Sequence, residues 1–386
     1  MKSNISKLLL VCAAACSVAL TSCNDADYDV IENQAYIAQT NTNGNSSKKI
    51  TVGNDSQSAE FNVRVSSPVG KDCTFGISVD ETALKTYNET NSTAYELLPA
   101  SQYTLSATDV TVAQGESTSM PVTLTVKPFT EELKNSGKKF AVPVKITSKD
   151  GTGVINSGST LVYVIDQVIF QPVPTINAAN NVQMTMRQDY DLTEWTLEFN
   201  VNIDKLGKAI GELNNQALFG AWGSNGGEIY TRFGDAPIEG DLLQIKTQGS
   251  QMNSNTHFNA NTWYHVAFVC TGTKLYLYIN GVLDNSMDLG GKVTNIAHDN
   301  VKFGNTDYLR ANVKVSELRF WTVARQQAEI ANNMYVIDPT TNGLEAYWKM
   351  NEGTGNDFSD ATGHGNLAHA VGNTQWTQNV RIDGKE

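Results

Sequence analysis

The chain has 386 residues, 40 acidic against 28 basic, and a formal net charge of −12. A surface this acidic repels phosphate backbones, which excludes nucleic acid as a partner and argues against polyanionic ligands. The length allows two or three domains, and Thr, Ser, Asn, Gly and Val dominate over helix formers.

The first element is a targeting segment. Lys2 and Lys7 precede an uncharged run from Leu8 to Leu20, too short to span a bilayer comfortably and flanked like a signal peptide. The run ends in Leu20-Thr21-Ser22-Cys23. That ending resembles the lipobox of bacterial lipoproteins, which implies cleavage after residue 22 and acylation of Cys23. Each buried methylene of such a chain contributes about 0.8 kcal/mol, and the lipid is the expected hold on a membrane. Residues 23–35 then form a lipidated tether that opens with Asn24-Asp25-Ala26-Asp27-Tyr28-Asp29. These acids resemble the export signal of Bacteroides-type surface lipoproteins, so the expected location is the outer membrane, exposed at the cell surface. Cys12 and Cys16 leave with the signal. Cys73 and Cys270, far apart in apolar strand-like runs, are expected as buried free thiols. No Cys/His cluster points to zinc.

From residue 36 onward the pattern is period-two alternation, which places one apolar face on each of many antiparallel strands. Phe61-Asn62-Val63-Arg64-Val65, Val122-Thr123-Leu124-Thr125-Val126 and Val142-Pro143-Val144-Lys145-Ile146 alternate in this way. Asp80 is placed to cap a helix through Ala83, Leu84 and Tyr87, broken by Pro99. Val162-Tyr163-Val164-Ile165 reads as a closing strand, and Gln171-Pro172-Val173-Pro174 reads as a linker, because proline donates nothing to a ladder. The expected division is domain one at 36–168, a linker at 169–174, and domain two at 175–386.

Domain one is expected to be an immunoglobulin-like β-sandwich. Ser78-Val79-Asp80, Leu84, Tyr87-Asn88, Leu97-Leu98-Pro99, Tyr103-Thr104-Leu105, Val112, Gly115 and Phe140-Ala141-Val142-Pro143-Val144 follow one pattern. It resembles the N-terminal domain of surface lipoproteins encoded with polysaccharide-utilisation systems. There the domain precedes a family-18 glycosidase or a LamG-type domain, which implies a spacer or docking role here.

In domain two, Thr196-Leu197-Glu198-Phe199-Asn200-Val201 alternates. Asn261-Thr262-Trp263-Tyr264-His265-Val266 leads into Lys274-Leu275-Tyr276-Leu277-Tyr278-Ile279-Asn280-Gly281, whose Asn-Gly pair signals a two-residue hairpin turn. Val315 to Trp321 is followed by a short helix over about Ala324 to Met334, with Ile330 and Met334 on one face. Leu344 to Met350 and the Gly-rich stretch from Glu352 to Asn366 complete the set. Together these resemble the LamG-like, concanavalin A-like jelly roll, so the whole chain is expected to be all-β. Trp195, Trp263, Trp321, Trp348 and His265 are expected to be structural.

Glycosidic hydrolysis needs two carboxylates about 5–9.5 Å apart across the bond. The Glu-x-Asp-x-x-Glu string of jelly-roll glucanases is absent: the nearest acids, Glu194 and Glu198, have Thr196 between them. No Gly-x-Ser-x-Gly elbow is present either. The expectation is therefore a non-catalytic binder that requires no cofactor. LamG-like domains often hold calcium, which implies Asp357 and Asp360 as candidate ligands, although Asp-Gly loops also make plain turns.

Two loops mix aromatic faces with groups that recognise hydroxyls. One carries Trp222, Tyr230, Arg232 and Asp235, and the other Asn305, Tyr308 and Arg310. Together with the compartment, the resemblance implies capture of a polysaccharide or a glycoprotein glycan beside an outer-membrane importer and glycosidases. Two alternatives stay open: a protein-binding or adhesion module, and a glycoside hydrolase whose site has no recognised motif.

Overall fold

The computed structural model describes residues 33–41, 46–211, 215–223 and 226–383. The signal, Cys23 and most of the tether lie outside the described residues.

In domain one, a sheet runs in the order Ser46–Val52, Thr160–Gln167, Lys139–Ser148, Cys73–Val79, Asp109–Val112, with Tyr95–Leu97 added parallel to the Lys139 strand. Two smaller sheets face it, one built on Gln34–Ile37 and the other on Val122–Val126. The alternation read from the sequence is kept, with Val122, Leu124 and Val126 buried and Thr123 and Thr125 turned outward. Phe61, Phe75, Leu124, Val142 and Tyr163 fill the core between the sheets. Lys139–Ser148 departs from simple alternation because its second face is covered as well. The helix Glu81–Asn91 lays Leu84 on Ala141 and Val162 there. Asp80 caps that helix as expected, its Oδ1 accepting from the Thr82 and Ala83 amides at 2.9 and 3.3 Å. Its Oδ2 holds Lys145 at 2.6 Å.

The connection to domain two is shorter than expected. Phe170–Ile176 is a strand, paired with Gln375–Arg381 on one side and with Val313–Trp321 on the other. A register shift between Gln171 and Val173 sets Pro172 opposite a bulge at Gln378 and Asn379 of the partner strand, which accommodates the missing amide. Domain two therefore begins at Phe170, and only Val168 and Ile169 separate it from the last strand of domain one.

Domain two is a sandwich of two large sheets. The first runs Val282–Asp288, Lys274–Ile279, Tyr264–Cys270, Trp195–Ile203, Val313–Trp321, Phe170–Ile176, Gln375–Arg381, with Leu344–Trp348 also on the Val313 strand. The second runs Ser250–His257, Ile238–Thr247, Glu228–Asp235, Gln216–Trp222, Val301–Phe303, Val182–Thr185, Leu367–Ala370, Asp357–Phe358. Trp195, Leu197, Phe199 and Val201 of the first meet Phe219, Phe233, Leu243 and Phe303 of the second. The Phe199 and Phe303 rings cross edge to face at 5.8 Å. Asn280 and Gly281 take φ of 52° and 76°, the two positive values that the predicted hairpin turn demands. The expected helix is present as Gln327–Asn332, and Ile330 anchors it against Ala267, Val269 and Tyr278. Cys73 and Cys270 are free and buried.

Candidate functional site

The second sheet of domain two has one face in the core and one polar face that is open apart from the buried Arg232 and Gln244. Strand alternation decides which residues share the open face. On Glu228–Asp235 it carries Glu228, Tyr230 and Arg232, with Ile229 and Phe233 turned into the core. Register then aligns the neighbours. Arg232 lies opposite Gln244, Gln244 opposite Asn253, Tyr230 opposite Gly220, Gly220 opposite Lys302, and Lys302 opposite Gln183. Gln183 lies opposite His369, and His369 opposite Asp357.

Trp222 ends its strand on this face, and the six-membered ring of its indole packs against Gly220. A Cβ at position 220 would sit 2.1 Å from the indole ring, so only glycine admits this placement. The Tyr230 ring stands 5.5 Å from Trp222, centroid to centroid. Lys302 Nζ lies 5.0 Å over the indole, and the Arg232 guanidinium 5.1 Å from the Tyr230 ring. Arg232 is fixed further by Gln244 Oε1 at 2.7 Å and by Asp235 at 2.5 Å. Gln244 in turn donates to Asn253 Oδ1 at 2.8 Å. The Tyr230 hydroxyl donates to Asn215 Oδ1 at 3.2 Å, and burial raises its pKa, so it stays a donor at neutral pH. Glu228 pairs with Lys246 at 3.2 Å. The result is an aromatic pair set in a row of amides, guanidinium and ammonium groups held by one another.

Trp222, Tyr230, Arg232 and Asp235 are thus brought together, on strands rather than in a glycine-rich loop. Asn305, Tyr308 and Arg310 lie elsewhere. Their loop packs at the other end of the Trp222 strand, where Gln216 Oε1 accepts from the Arg310 amide at 2.8 Å and Tyr308 O accepts from the Ala217 amide at 3.2 Å. Six residues of strand separate that end from Trp222, roughly 20 Å. Asn305 spends its Oδ1 on the Asp307 amide in a tight turn, and Tyr308 is half exposed. The sequence reading missed Gln244 and Asn253, on the next two strands of the same meander, and Lys302 and Gln183, which only the pairing of distant strands brings to this face.

Residues 177–331 match the family model of the concanavalin A-like lectin/glucanases superfamily. The second domain is a concanavalin A-like domain. Residues 31–153 match a separate family model described as an N-terminal domain. Among solved structures, a Bacteroides ovatus protein provisionally described as carbohydrate-binding is 20% identical. It covers 90% of this chain and 99% of its own with a TM-score of 0.62, so the two share their two-domain fold. A two-domain protein of unknown function from Bacteroides fragilis covers 79% of this chain and 99% of its own, at 10% identity and a TM-score of 0.31. EndoBT-3987 of Bacteroides thetaiotaomicron covers 32% of this chain and 28% of its own, at 20% identity and a TM-score of 0.29. No curated protein matches the chain.

In the concanavalin A-like domain the two calcium candidates do not make one donor set. Asp360 accepts five hydrogen bonds: Oδ1 takes the Tyr347 amide and both the amide and hydroxyl of Thr362, and Oδ2 takes the Asn366 amide and side chain, all at 2.7–3.2 Å. Those bonds use the lone pairs that a calcium ion would need. Asp357 is exposed and pairs with His369 Nδ1 at 2.7 Å. The residues therefore do not fit calcium here; Asp360 is a turn-builder.

The opposite sheet of the concanavalin A-like domain carries a buried charge network, which rules on the nearest acid to an enzyme motif. Glu198 is fully buried, with Arg325 at 2.6 Å and Arg319 and His265 at 3.4 Å. Arg319 also meets Glu317, which accepts from the Tyr347 hydroxyl. Burial pushes the Glu198 carboxyl up, but Arg325, His265 and Arg319 override it and hold it at about 2. Burial lowers the His265 pKa against the pull of Glu198. His265 is structural, as expected. The chain from Thr322 to Gly343 covers this network.

Proposed function

We propose that the protein is a non-catalytic glycan-binding lipoprotein, held by acyl chains on Cys23 at the outer membrane and exposed at the cell surface. The open face of the concanavalin A-like domain takes the glycan. There it hands bound chains to an outer-membrane importer and to glycosidases, and domain one sets the distance from the membrane.

The observation that carries the glycan reading is the Trp222–Tyr230 pair on one polar sheet face with Lys302, Asn253 and Gln183, backed by the buried Arg232 and Gln244 side chains. Sugar rings offer C–H faces to aromatic rings and hydroxyls to amides and guanidinium groups, and this face supplies both, already positioned. The Bacteroides ovatus protein of the same fold, provisionally described as carbohydrate-binding, supports the same reading. The non-catalytic part is supported by how the acids are spent. Glu228 and Asp235 on this face each pair with a cation, Asp357 pairs with the His369 imidazole, and Glu198 is buried behind the opposite sheet.

The adhesion alternative has one observation in its favour. Leu367 and Val371 flank His369 toward one edge of the same face and are 65% and 53% exposed. Retardation of the chain in native gels containing plant, fungal and host polysaccharides separates the two. Glycan binding slows the wild type in a particular polysaccharide without shortening it, and Trp222→Ala runs free. Migration unchanged in every polysaccharide of a broad panel would turn the reading to protein adhesion.

A further inference from the structure

The two domains meet across a seam that includes Gly137. A Cβ there would lie 2.2 Å from the Ile337 carbonyl, so backbone of domain one rests directly on backbone of domain two. Beside this contact is a cavity of about 310 Å³, walled by Tyr95, Phe129, Lys139 and Asp166 of domain one and by Met334, Tyr335, Ile382 and Asp383 of domain two.

The charges in this cavity do not cancel. Asp166 is paired with Lys49 at 3.1 Å, Asp383 with Arg381 at 2.7 Å, and Lys138 at the seam with Glu96 at 2.8 Å. Lys139 is left over: its ammonium has no carboxylate within 4 Å and no hydrogen bond among the described residues. The Tyr95 and Tyr335 hydroxyls that share the cavity have no hydrogen-bond partner there either. Three donors without a protein acceptor among the described residues, one of them charged, therefore line a partly open and partly apolar cavity. An anion placed there would pair with the ammonium and accept from both hydroxyls.

We propose that the interdomain cavity is a second ligand site, which takes a small organic monocarboxylate with its carboxylate on Lys139 Nζ and the Tyr95 and Tyr335 hydroxyls. One negative charge is what the site lacks; a neutral sugar leaves Lys139 unpaired, and a dianion meets Asp166 and Asp383. The apolar walls from Phe129, Met334 and Ile382 suit a ring or short-chain body. The site is distinct from the open sheet face and stands whether or not that face binds glycan. Because both domains supply walls, occupancy also ties them together.

Burial lowers Lys139 to about 8, opposed by Asp166 and helped by Arg319, Lys49 and Arg325. Burial raises Tyr95 to about 12 and raises Tyr335 too, so both phenols remain donors through pH 9. The acids facing the site, Asp166 and Asp383, are paired, and the cations Lys49, Lys138 and Arg381 are their partners or a neighbour's. Lys139 therefore titrates between pH 7 and 9.

The test is calorimetric titration of the full two-domain chain with benzoate and D-glucuronate, with benzyl alcohol and D-glucose as neutral counterparts. The expected result is one-to-one binding of at least one carboxylate at pH 7, with its neutral counterpart at least tenfold weaker. Affinity should fall roughly tenfold from pH 7 to pH 9 as Lys139 loses its proton. Lys139→Met should abolish carboxylate binding, and Tyr335→Phe should weaken it several-fold in a chain whose melting temperature is unchanged. Trp222→Ala should leave it intact. No binding of either carboxylate, equal binding of the neutral counterparts, or binding that survives in both Lys139→Met and Tyr335→Phe overturns the proposal.

Discussion

Replacing Glu198 with Gln keeps the shape of the side chain and removes one buried charge. In the wild type this carboxylate is the one anion within ion-pair distance of Arg325, at 2.6 Å, among the described residues. Arg325 would keep the Trp321 ring, 4.2 Å from its guanidinium carbon. Arg319 would keep Glu317 and the Asn333 carbonyl, the latter at 2.6 Å. The uncompensated charge is therefore chiefly that of Arg325, and its side chain is 4% exposed. Breaking one partner out of a buried ion pair costs about 3–5 kcal/mol. In a domain of this size each kcal/mol lowers the melting temperature by about 2–4 °C, so Glu198→Gln should lower the domain-two transition by about 6–20 °C. Differential scanning calorimetry resolves this, and the domain-one transition should not move. Adding Arg325→Met in the same chain should recover part of the loss, because it removes the orphaned charge.

The pH dependence has a definite sign. Glu198 is held at about 2 in the fold, below the ordinary carboxylate value. A depressed carboxylate contributes stability that is present above its unfolded pKa of about 4.3 and lost as pH falls toward its folded pKa. The gap between wild type and Glu198→Gln should therefore narrow from about pH 4 down to 2. A melting shift under about 2 °C at pH 7, or a gap that widens in acid, would refute the network as a stabilising unit.

Three further outcomes follow from particular contacts. Gly220→Ala should leave the melting temperature within about 2 °C of wild type yet weaken glycan binding two- to tenfold, because it lifts the indole while keeping tryptophan in place; gel retardation reads it. Asp360→Ala should destabilise domain two by about 2–4 kcal/mol in urea unfolding, since five hydrogen bonds converge on that carboxylate, and calcium should neither restore it nor shift the wild-type transition. Asp80→Ala should lower the domain-one transition by about 1 kcal/mol, the usual worth of an N-cap, with a further small loss from the Lys145 bridge.

What could be read from the sequence was whatever local chemistry decides. Asp80 and the Asn280-Gly281 turn were legible because a cap and a positive-φ pair depend on a few adjacent residues. Alternation fixed the inward residues Leu197, Phe199 and Val201. The same alternation misled for the other face of that strand: Thr196 and Glu198 look solvent-facing, but the distant segment from Thr322 to Gly343 covers them. Gln171 to Pro174 looked like a linker because two prolines disfavour a ladder; over that stretch the strand pairs only with Gln375–Arg381, across a bulge, so the missing amides are tolerated. The candidate site was half legible. Trp222, Tyr230, Arg232 and Asp235 are close in sequence and share one hairpin, so local reading found them. Lys302 and Gln183 join them through the pairing of distant strands, and Asn305 to Arg310, equally rich in suitable groups, go to the far end of a strand. Nothing local distinguishes those outcomes.

The central claim is that glycan is held by the open sheet face through Trp222. The most direct measurement is the dissociation constant for the polysaccharide that retards the wild-type chain, taken by calorimetry for wild type, Trp222→Ala and Gln183→Ala. The account predicts a loss of about tenfold or more for Trp222→Ala, a smaller loss for Gln183→Ala, and no change in the polysaccharide's length. Undiminished affinity in both variants, or shortened chains that depend on an acid of this face, would contradict it.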